Sequence, residues 1–458
     1  MSIDINKHYK NVSESLNGIG NGMCLAKWTQ VTLQLHTGHN HSCHHPSLHK
    51  IPEIEIKNNP SALHNTRFKK EKRREMLNGG RPSECEYCWK IEDNSDRYSD
   101  RVFKSSEPWS WEHYNEIKDL DWRADYNPKY VEVAFSNTCN FKCMYCGPQF
   151  SSSWVEELKK YGPYENGFNH FNEETTPYLN SEYNPYVEAF WKWWPELYRD
   201  LHTFRITGGE PLLSKDTWGV LDYILEQKEP NRNLNLAINT NLGVPDKLID
   251  NLIEKCKRIL GEGRIRELVI FTSCDAHGKQ AEYLRNGMDY NKFMNNVNKI
   301  LTELPQVTID FMVTYNALSV FSFDKFILDV LELKRKHQNE QRCWIQPAIF
   351  DTSYLRYPNF MSVQILPHEM KHNILEQSKL ALFNATLIYD HTHMGCSDME
   401  IQKLKRTYDW AISPIDNNDL FKQRKTFSHY IKQIDERRGT DFVKTFPELE
   451  EFYKTHLI

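Results

Sequence analysis

The chain has 458 residues, enough for two or three cores with ample apolar surface to bury. Its net charge of −5 gives no bias towards polyanions, so charge does not indicate nucleic acid, and its 39% hydrophobic residues form no apolar run approaching the ~18 residues of a membrane span. The opening Met1-Ser-Ile-Asp-Ile-Asn-Lys7 lacks the apolar stretch of a signal peptide, so the expected compartment is the reducing cytoplasm.

In such a compartment eleven cysteines are expected as metal ligands and core thiols rather than disulfides. Seven form two groups, Cys24, Cys43, Cys85 and Cys88, then Cys139, Cys143 and Cys146, while Cys256, Cys274, Cys343 and Cys396 stand alone. Residues 1–95 show little periodicity but are dense in ligand types, with six histidines and a cysteine between His36 and His49. A basic helix is predicted over Arg67–Leu77, closed by Asn78-Gly79-Gly80, with its charges on a solvated face. Cys85-Glu-Tyr-Cys88 follows directly. A four-cysteine set of this kind suits structural zinc, and His39, His41, His44 or His45 could replace one thiolate.

Residues 96–128 are polar and aromatic and read as a packed linker. From 129 the rhythm changes: strand-like runs at 129–135, 202–207, 233–239, 266–273, 307–313 and 342–349 alternate with helical patterns such as Tyr186–Pro195, Thr217–Leu225 and Phe321–Leu333. That alternation predicts a parallel sheet with right-handed crossovers over 129–349. Cys256 lies in the helical pattern Leu252–Leu260 and reads as a small core residue. The remainder, 350–458, is expected to be mostly helical, with a helix start at Leu366-Pro-His-Glu-Met-Lys371.

The most specific stretch is Cys139-Asn-Phe-Lys-Cys143-Met-Tyr-Cys146, on a loop leaving the strand Lys129–Phe135. Three thiolates so spaced can converge on one soft metal centre, and a [4Fe–4S] cube given only three cysteines keeps one iron open. The loop resembles the Cys-x-x-x-Cys-x-aromatic-Cys signature of the radical S-adenosylmethionine (SAM) enzymes, with Tyr145 as the aromatic. That resemblance implies a [4Fe–4S] cluster whose open iron is chelated by SAM, reductive cleavage of SAM to a 5′-deoxyadenosyl radical, and an α/β fold containing a partial (βα)6 TIM-like barrel.

Reacting groups in βα barrels sit at the C-terminal ends of strands. There the chain has Gly208-Gly209-Glu210, similar to the superfamily's Gly-Gly-Glu motif, which implies that Glu210 holds the SAM amine. Thr240-Asn241-Leu-Gly243 is similar to the Thr-Asn-Gly turn, with Leu242 displacing the glycine by one position. Ser273-Cys-Asp275-Ala-His-Gly278, continued by Glu282-Tyr-Leu-Arg285, resembles the pattern of the branch bearing twitch or SPASM domains. It implies Ser273 at the ribose or carboxylate of SAM and Arg285 on the carboxylate. Ile434–Leu449 and Trp344-Ile-Gln-Pro347 resemble the same branch, whose members carry auxiliary clusters. On that footing Cys24, Cys43, Cys85 and Cys88 are expected to hold a second [4Fe–4S] cluster, with zinc as the alternative, and Cys396 is read as structural.

The expected function is therefore hydrogen abstraction from a substrate by a SAM-derived radical. The substrate is a peptide or protein, or alternatively a sugar, nucleoside or other small metabolite, and the electron donor is of the flavodoxin or ferredoxin type. A zinc-stapled binding module is the alternative of another class.

Overall fold

A computed structural model describes residues 5–165, 175–179, 182–339, 346–388 and 395–457, the side chains of 385–388 excepted. Its largest element is a nine-stranded sheet in the order β3-β2-β1-β4-β6-β7-β8-β10-β11. The strands are β1 Gln30–Gln34, β2 His39–His41, β3 His49–Lys50, β4 Tyr130–Ala134, β6 Thr203–Thr207, β7 Asn235–Thr240, β8 Glu267–Ser273, β10 Thr308–Tyr315 and β11 Ala348–Tyr354. β1 and every strand from β4 to β11 in this sheet run parallel, while β2 and β3 add antiparallel at one edge. The last predicted strand, 342–349, shifts: residues 340–345 lie outside the described residues and the strand is Ala348–Tyr354.

Register explains why this sheet is stable. Val31, Val131, Phe204, Leu236 and Leu268 stand side by side across five strands, and two residues on, Leu33, Val133, Ile206, Ile238, Ile270, Ile309 and Ala348 do the same across seven. Because successive side chains point to opposite faces, both rows belong to one face. They are buried against helices including Pro185–Asp200, Lys215–Glu226, Asp246–Gly261 and Phe323–His337. Cys256 lies in that core, fully buried, and so do Phe190 and Trp194. The row between, Thr32, Glu132, Arg205, Ala237, Val269 and Thr308, faces the other way and is largely polar.

β1 belongs to the ligand-rich N-terminal stretch, yet it pairs with β4 over its whole length. Apart from the main core that holds Val31 and Leu33 of β1, a second, smaller core is built by Val12 and Leu16 of the helix Ile5–Ile19 together with Leu25, Trp28, Met76, Val102 and Ile117. The stretch 96–128 contributes the short helices Asp100–Ser106, Pro108–Trp111 and Tyr114–Lys118. The basic helix Arg67–Leu77 corrects one expectation, since Lys69 and Arg73 point inwards and are buried. Lys69 donates to the carbonyl of Gln30 and Arg73 to that of Lys27, so these cations satisfy backbone acceptors where the chain enters β1.

The C-terminal helices brace the sheet. Lys334, fully buried, donates to both carboxylate oxygens of Glu400 at 2.9 and 2.8 Å, and Glu400 also accepts from the Phe350 amide of β11. Cys396 packs in the main core near this pair, which fits its structural reading. Among the described residues no helix is long and apolar enough to cross a membrane.

Candidate functional site

β4 ends at Ala134 and the chain turns over the C-terminal edge of the sheet into the cysteine loop. Backbone partners fix the loop. Ser151 and Ser153, at the start of the helix Ser152–Tyr161, donate to the carbonyls of Phe141 and Cys139 at 2.7 Å, and the Trp154 indole donates to that of Cys143 at 2.9 Å. A two-residue strand β5, Lys142–Cys143, pairs antiparallel with β9, Arg285–Asn286, which brings Arg285 opposite Cys143. The helix Asn417–Arg438 closes over the outside. Tyr430 donates to the Met144 carbonyl at 2.6 Å, and Arg438 donates to the Lys142 carbonyl at 2.8 Å and to both oxygens of Glu157 at 3.0 and 3.2 Å.

With its carbonyls held, the loop turns Cys139, Cys143 and Cys146 into a cavity of about 220 Å³. Tyr145, Gly208, Gly209, Asn241, Ser273 and Arg285 line the same cavity, together with Phe150, Asn239 and Thr314. Burial pushes all three thiols up, Cys146 to about 12, so they stay protonated until a metal displaces the proton. Among the described residues the only three ligand atoms that lie mutually within 4.8 Å belong to His44, His45 and Asp100. Among the described residues no three thiol sulfurs approach that closely.

The strand ends explain the other residues. Gly208 has φ +117, and a Cβ there would lie 2.9 Å from the Ser136 carbonyl oxygen. One at Gly209 would lie 2.3 Å from the Thr138 oxygen, so only glycine lets the end of β6 approach the cysteine loop this closely. Glu210 is 1% exposed and faces inwards, accepting from the Leu212 amide, the Thr240 hydroxyl and the Asn241 amide at 3.0, 2.7 and 2.6 Å. It ties the end of β6 to the end of β7 and does not line the cavity. Asn241 reaches Asn140 at 2.9 Å and the Cys139 sulfur at 3.9 Å. In that turn Leu242 takes φ +52, the left-handed region, with its side chain fully buried. Strain of about 1–2 kcal/mol is thus offset by apolar burial where a glycine would have been relaxed.

Arg285 is engaged within the protein. Its Nε and Nη2 donate to the two oxygens of Asp275 at 2.8 and 3.0 Å, leaving Nη1 towards the Cys143 sulfur at 3.6 Å. Asp275, itself fully buried, also accepts from the Tyr145 hydroxyl at 2.5 Å and the Thr314 amide at 2.7 Å. Asp275 therefore organises Tyr145, Arg285 and the end of β10, a role its place between Ser273 and Gly278 did not disclose. Arg285→Ala is expected to destabilise the cofactor-free protein by about 3–5 kcal/mol, because it strands the Asp275 charge. An unchanged melting temperature without any ligand would refute this.

The four N-terminal cysteines, apart in sequence, line one small cavity of about 20 Å³ with His45, Lys27, Arg101 and Lys104. Burial pushes Cys85 up to about 11 and Cys88 up to about 12. Of the alternative histidine ligands, His39 hydrogen-bonds Thr37, His41 is directed to the Cys43 carbonyl, and His44 and His45 approach Asp100 at 3.5 and 2.6 Å. Cys343 lies outside the described residues.

No family model matches the chain. It is similar to three curated GTP 3′,8-cyclases: that of Nautilia profundicola at 30% identity over 113 residues, that of Aliarcobacter butzleri at 28% over 112, and that of a Sulfurovum species at 30% over 112. Each match takes in 24% of this chain, which spans only 26–27% of the length of these relatives. The likeness is thus to enzymes of the radical SAM superfamily.

Proposed function

We propose that this protein is a radical SAM enzyme of the twitch/SPASM-related branch, built on a partial (βα)6 TIM-like barrel preceded by an auxiliary-cluster region. One observation carries the reading: three cysteines, two glycines, Asn241, Ser273 and Arg285, delivered by five separate chain segments, line a single cavity. The barrel reading draws on Asp351 of β11 and Gln30 of β1, six strands apart in the sheet order, which line one common chamber. The relatives support the superfamily over a quarter of the chain.

Cys139, Cys143 and Cys146 would hold a [4Fe–4S] cluster that, when bound, leaves an iron for SAM and supplies the electron that cleaves it. Glu210 holds the glycine turn in shape, Asn241 flanks Cys139, and Ser273 and Arg285, whose Nη1 lies towards Cys143, would help hold SAM. Cys24, Cys43, Cys85 and Cys88 would hold a second [4Fe–4S] cluster, with Lys27, Arg101 and Lys104 offsetting its negative charge. A peptide is the first choice of substrate; the relatives' action on GTP favours a nucleoside as the second. A flavodoxin or ferredoxin would deliver the electron in the cytoplasm.

Anaerobic reconstitution tests the reading. The expected result is a brown protein with about eight irons that releases 5′-deoxyadenosine from SAM on reduction. A colourless protein carrying zinc and no iron would establish the binding-module alternative instead.

A further inference from the structure

The cysteine-loop cavity shares the walls Phe150, Thr207 and Gly208 with a larger chamber of about 600 Å³. This chamber lies on the polar face of the sheet. Glu132 and Arg205 line it from the middle, Gln30 from β1 and Asp351 from β11, while His44 and Lys104 close it from the four-cysteine segment. A space bounded by both cysteine sites and by charged strand residues is suited to a polar molecule rather than to core packing.

Two carboxylates on this face each have a buried oxygen without a donor. Asp310 sits on β10 between Phe271 of β8 and Ile349 of β11, is 8% exposed, and its buried Oδ1 has no hydrogen-bond partner; it stands behind the chamber wall, close to Asp351 and Arg205, which line it. The buried Oδ1 of Asp351 is likewise unpartnered, while its Oδ2 meets Lys403 at 2.5 Å. Arg205 is not placed to satisfy them: it donates to Asn239 at 2.9 Å, lies 4.0 Å from Glu132 and covers the Phe271 ring at 3.9 Å. Burial, together with the neighbouring Asp351, pushes Asp310 up to about 7 against the pull of Lys403 and Arg205. A buried carboxylate oxygen without a donor is destabilising, and a purely structural residue at this position would be better apolar.

We propose that this chamber is the substrate site and that Asp351, with the charge of Asp310 behind it, receives a basic nitrogen group of the substrate, an ammonium or a guanidinium. The assignment rests on the radical SAM reading of the adjoining cavity. A planar guanidinium would pair with the open oxygen of Asp351 while Lys403 holds the other. The substrate's remainder would extend past Glu132 towards Gly208.

The probe is agmatine, with 1,4-butanediol as the uncharged control, titrated calorimetrically into the reconstituted protein. Wild-type protein is expected to bind agmatine at least tenfold more tightly than butanediol, and Asp310→Asn to lose at least tenfold in agmatine affinity. Without ligand, Asp310→Asn is expected to melt about 2 °C higher, because the uncompensated charge is gone. Absence of agmatine binding to the wild type, equal binding by the variant, or a lower melting temperature of the variant would each overturn the assignment. Release of 5′-deoxyadenosine by the wild-type protein is scored separately. Its absence would remove the radical SAM reading while the titrations still decide whether the chamber takes a cation.

Discussion

A protein carrying Cys139→Ala, Cys143→Ala and Cys146→Ala together is expected to lose about four irons after reconstitution and to release no 5′-deoxyadenosine from SAM. The loop should survive the change. Its shape is held by Ser151, Ser153, Trp154, Tyr430 and Arg438 acting on main-chain carbonyls, none of which depends on a thiol. A melting temperature within about 2 °C of the wild-type apoprotein is therefore expected alongside the complete loss of cleavage. Persisting 5′-deoxyadenosine formation would show that these cysteines do not carry the chemistry. Iron left in the triple variant would report on the N-terminal group: about four irons fits a second cluster there, whereas one zinc fits a structural site.

Arg438→Ala is expected to be the most damaging single change outside the cavity. Arg438 and Glu157 are each only 1% exposed at their side chains, and Lys142 adds a second cation 2.8 Å from Glu157. Removing one partner of such a buried pair costs about 3–5 kcal/mol, because the other charge is left without compensation. Here it also releases the Lys142 carbonyl, next to Cys143. Thermal melting of the apoprotein should show the loss of stability, and chelator challenge of the reconstituted protein should show faster iron release. Wild-type melting and iron retention in this variant would contradict the clamp.

Acid should act through the same pair. Burial alone would raise the Glu157 carboxyl, but Arg438, Lys142 and Tyr164 outweigh it and hold it at about 2. Its contribution to stability is thus fully present above the ordinary carboxyl value of 4.5 and is lost as pH falls through about 2. Glu157→Gln should flatten the stability profile across that window.

Some of this architecture was legible in residue patterns and some was not. Strands β4, β6, β7, β8 and β10 announce themselves because apolar residues alternate with polar ones between helices, whereas the two-residue strands β5 and β9 are too short to show a pattern. β1, Gln30-Val-Thr-Leu-Gln34, alternates too, but it is five residues long and embedded among histidines and cysteines, so its pairing with β4 leaves no local signal. The helix Ile5–Ile19 was hidden for a related reason, since only Val12 and Leu16 are buried on it and two residues make no stripe. Lys69 and Arg73 look like solvent-facing charges because their partners are two backbone carbonyls and the uncharged-looking side chains of His64 and Asn65, with no acidic residue to mark them as buried. The cysteine loop and glycine turn, by contrast, are legible because close approach and metal ligation restrict the residue type itself. Asp275 falls between: its motif is visible, but the four-way contact with Arg285, Tyr145 and Thr314 exists only in three dimensions.

The pairing of β1 with β4 also sets a timetable for synthesis. Gln30 meets Tyr130 and Gln34 meets Ala134, 100 positions later in each case (130 − 30 and 134 − 34). At ribosomal speeds of about 5–20 residues per second, β1 waits roughly 5–20 s for its parallel partner. Until then β1 has only the short strands β2 and β3 beside it, and its other edge offers its amides and carbonyls to any neighbouring nascent chain. Cys24, Cys43, Cys85 and Cys88 all emerge before residue 130. A metal captured early by these four thiols would hold the N-terminal segment closed during the wait, making metal supply during translation a determinant of the yield of folded protein.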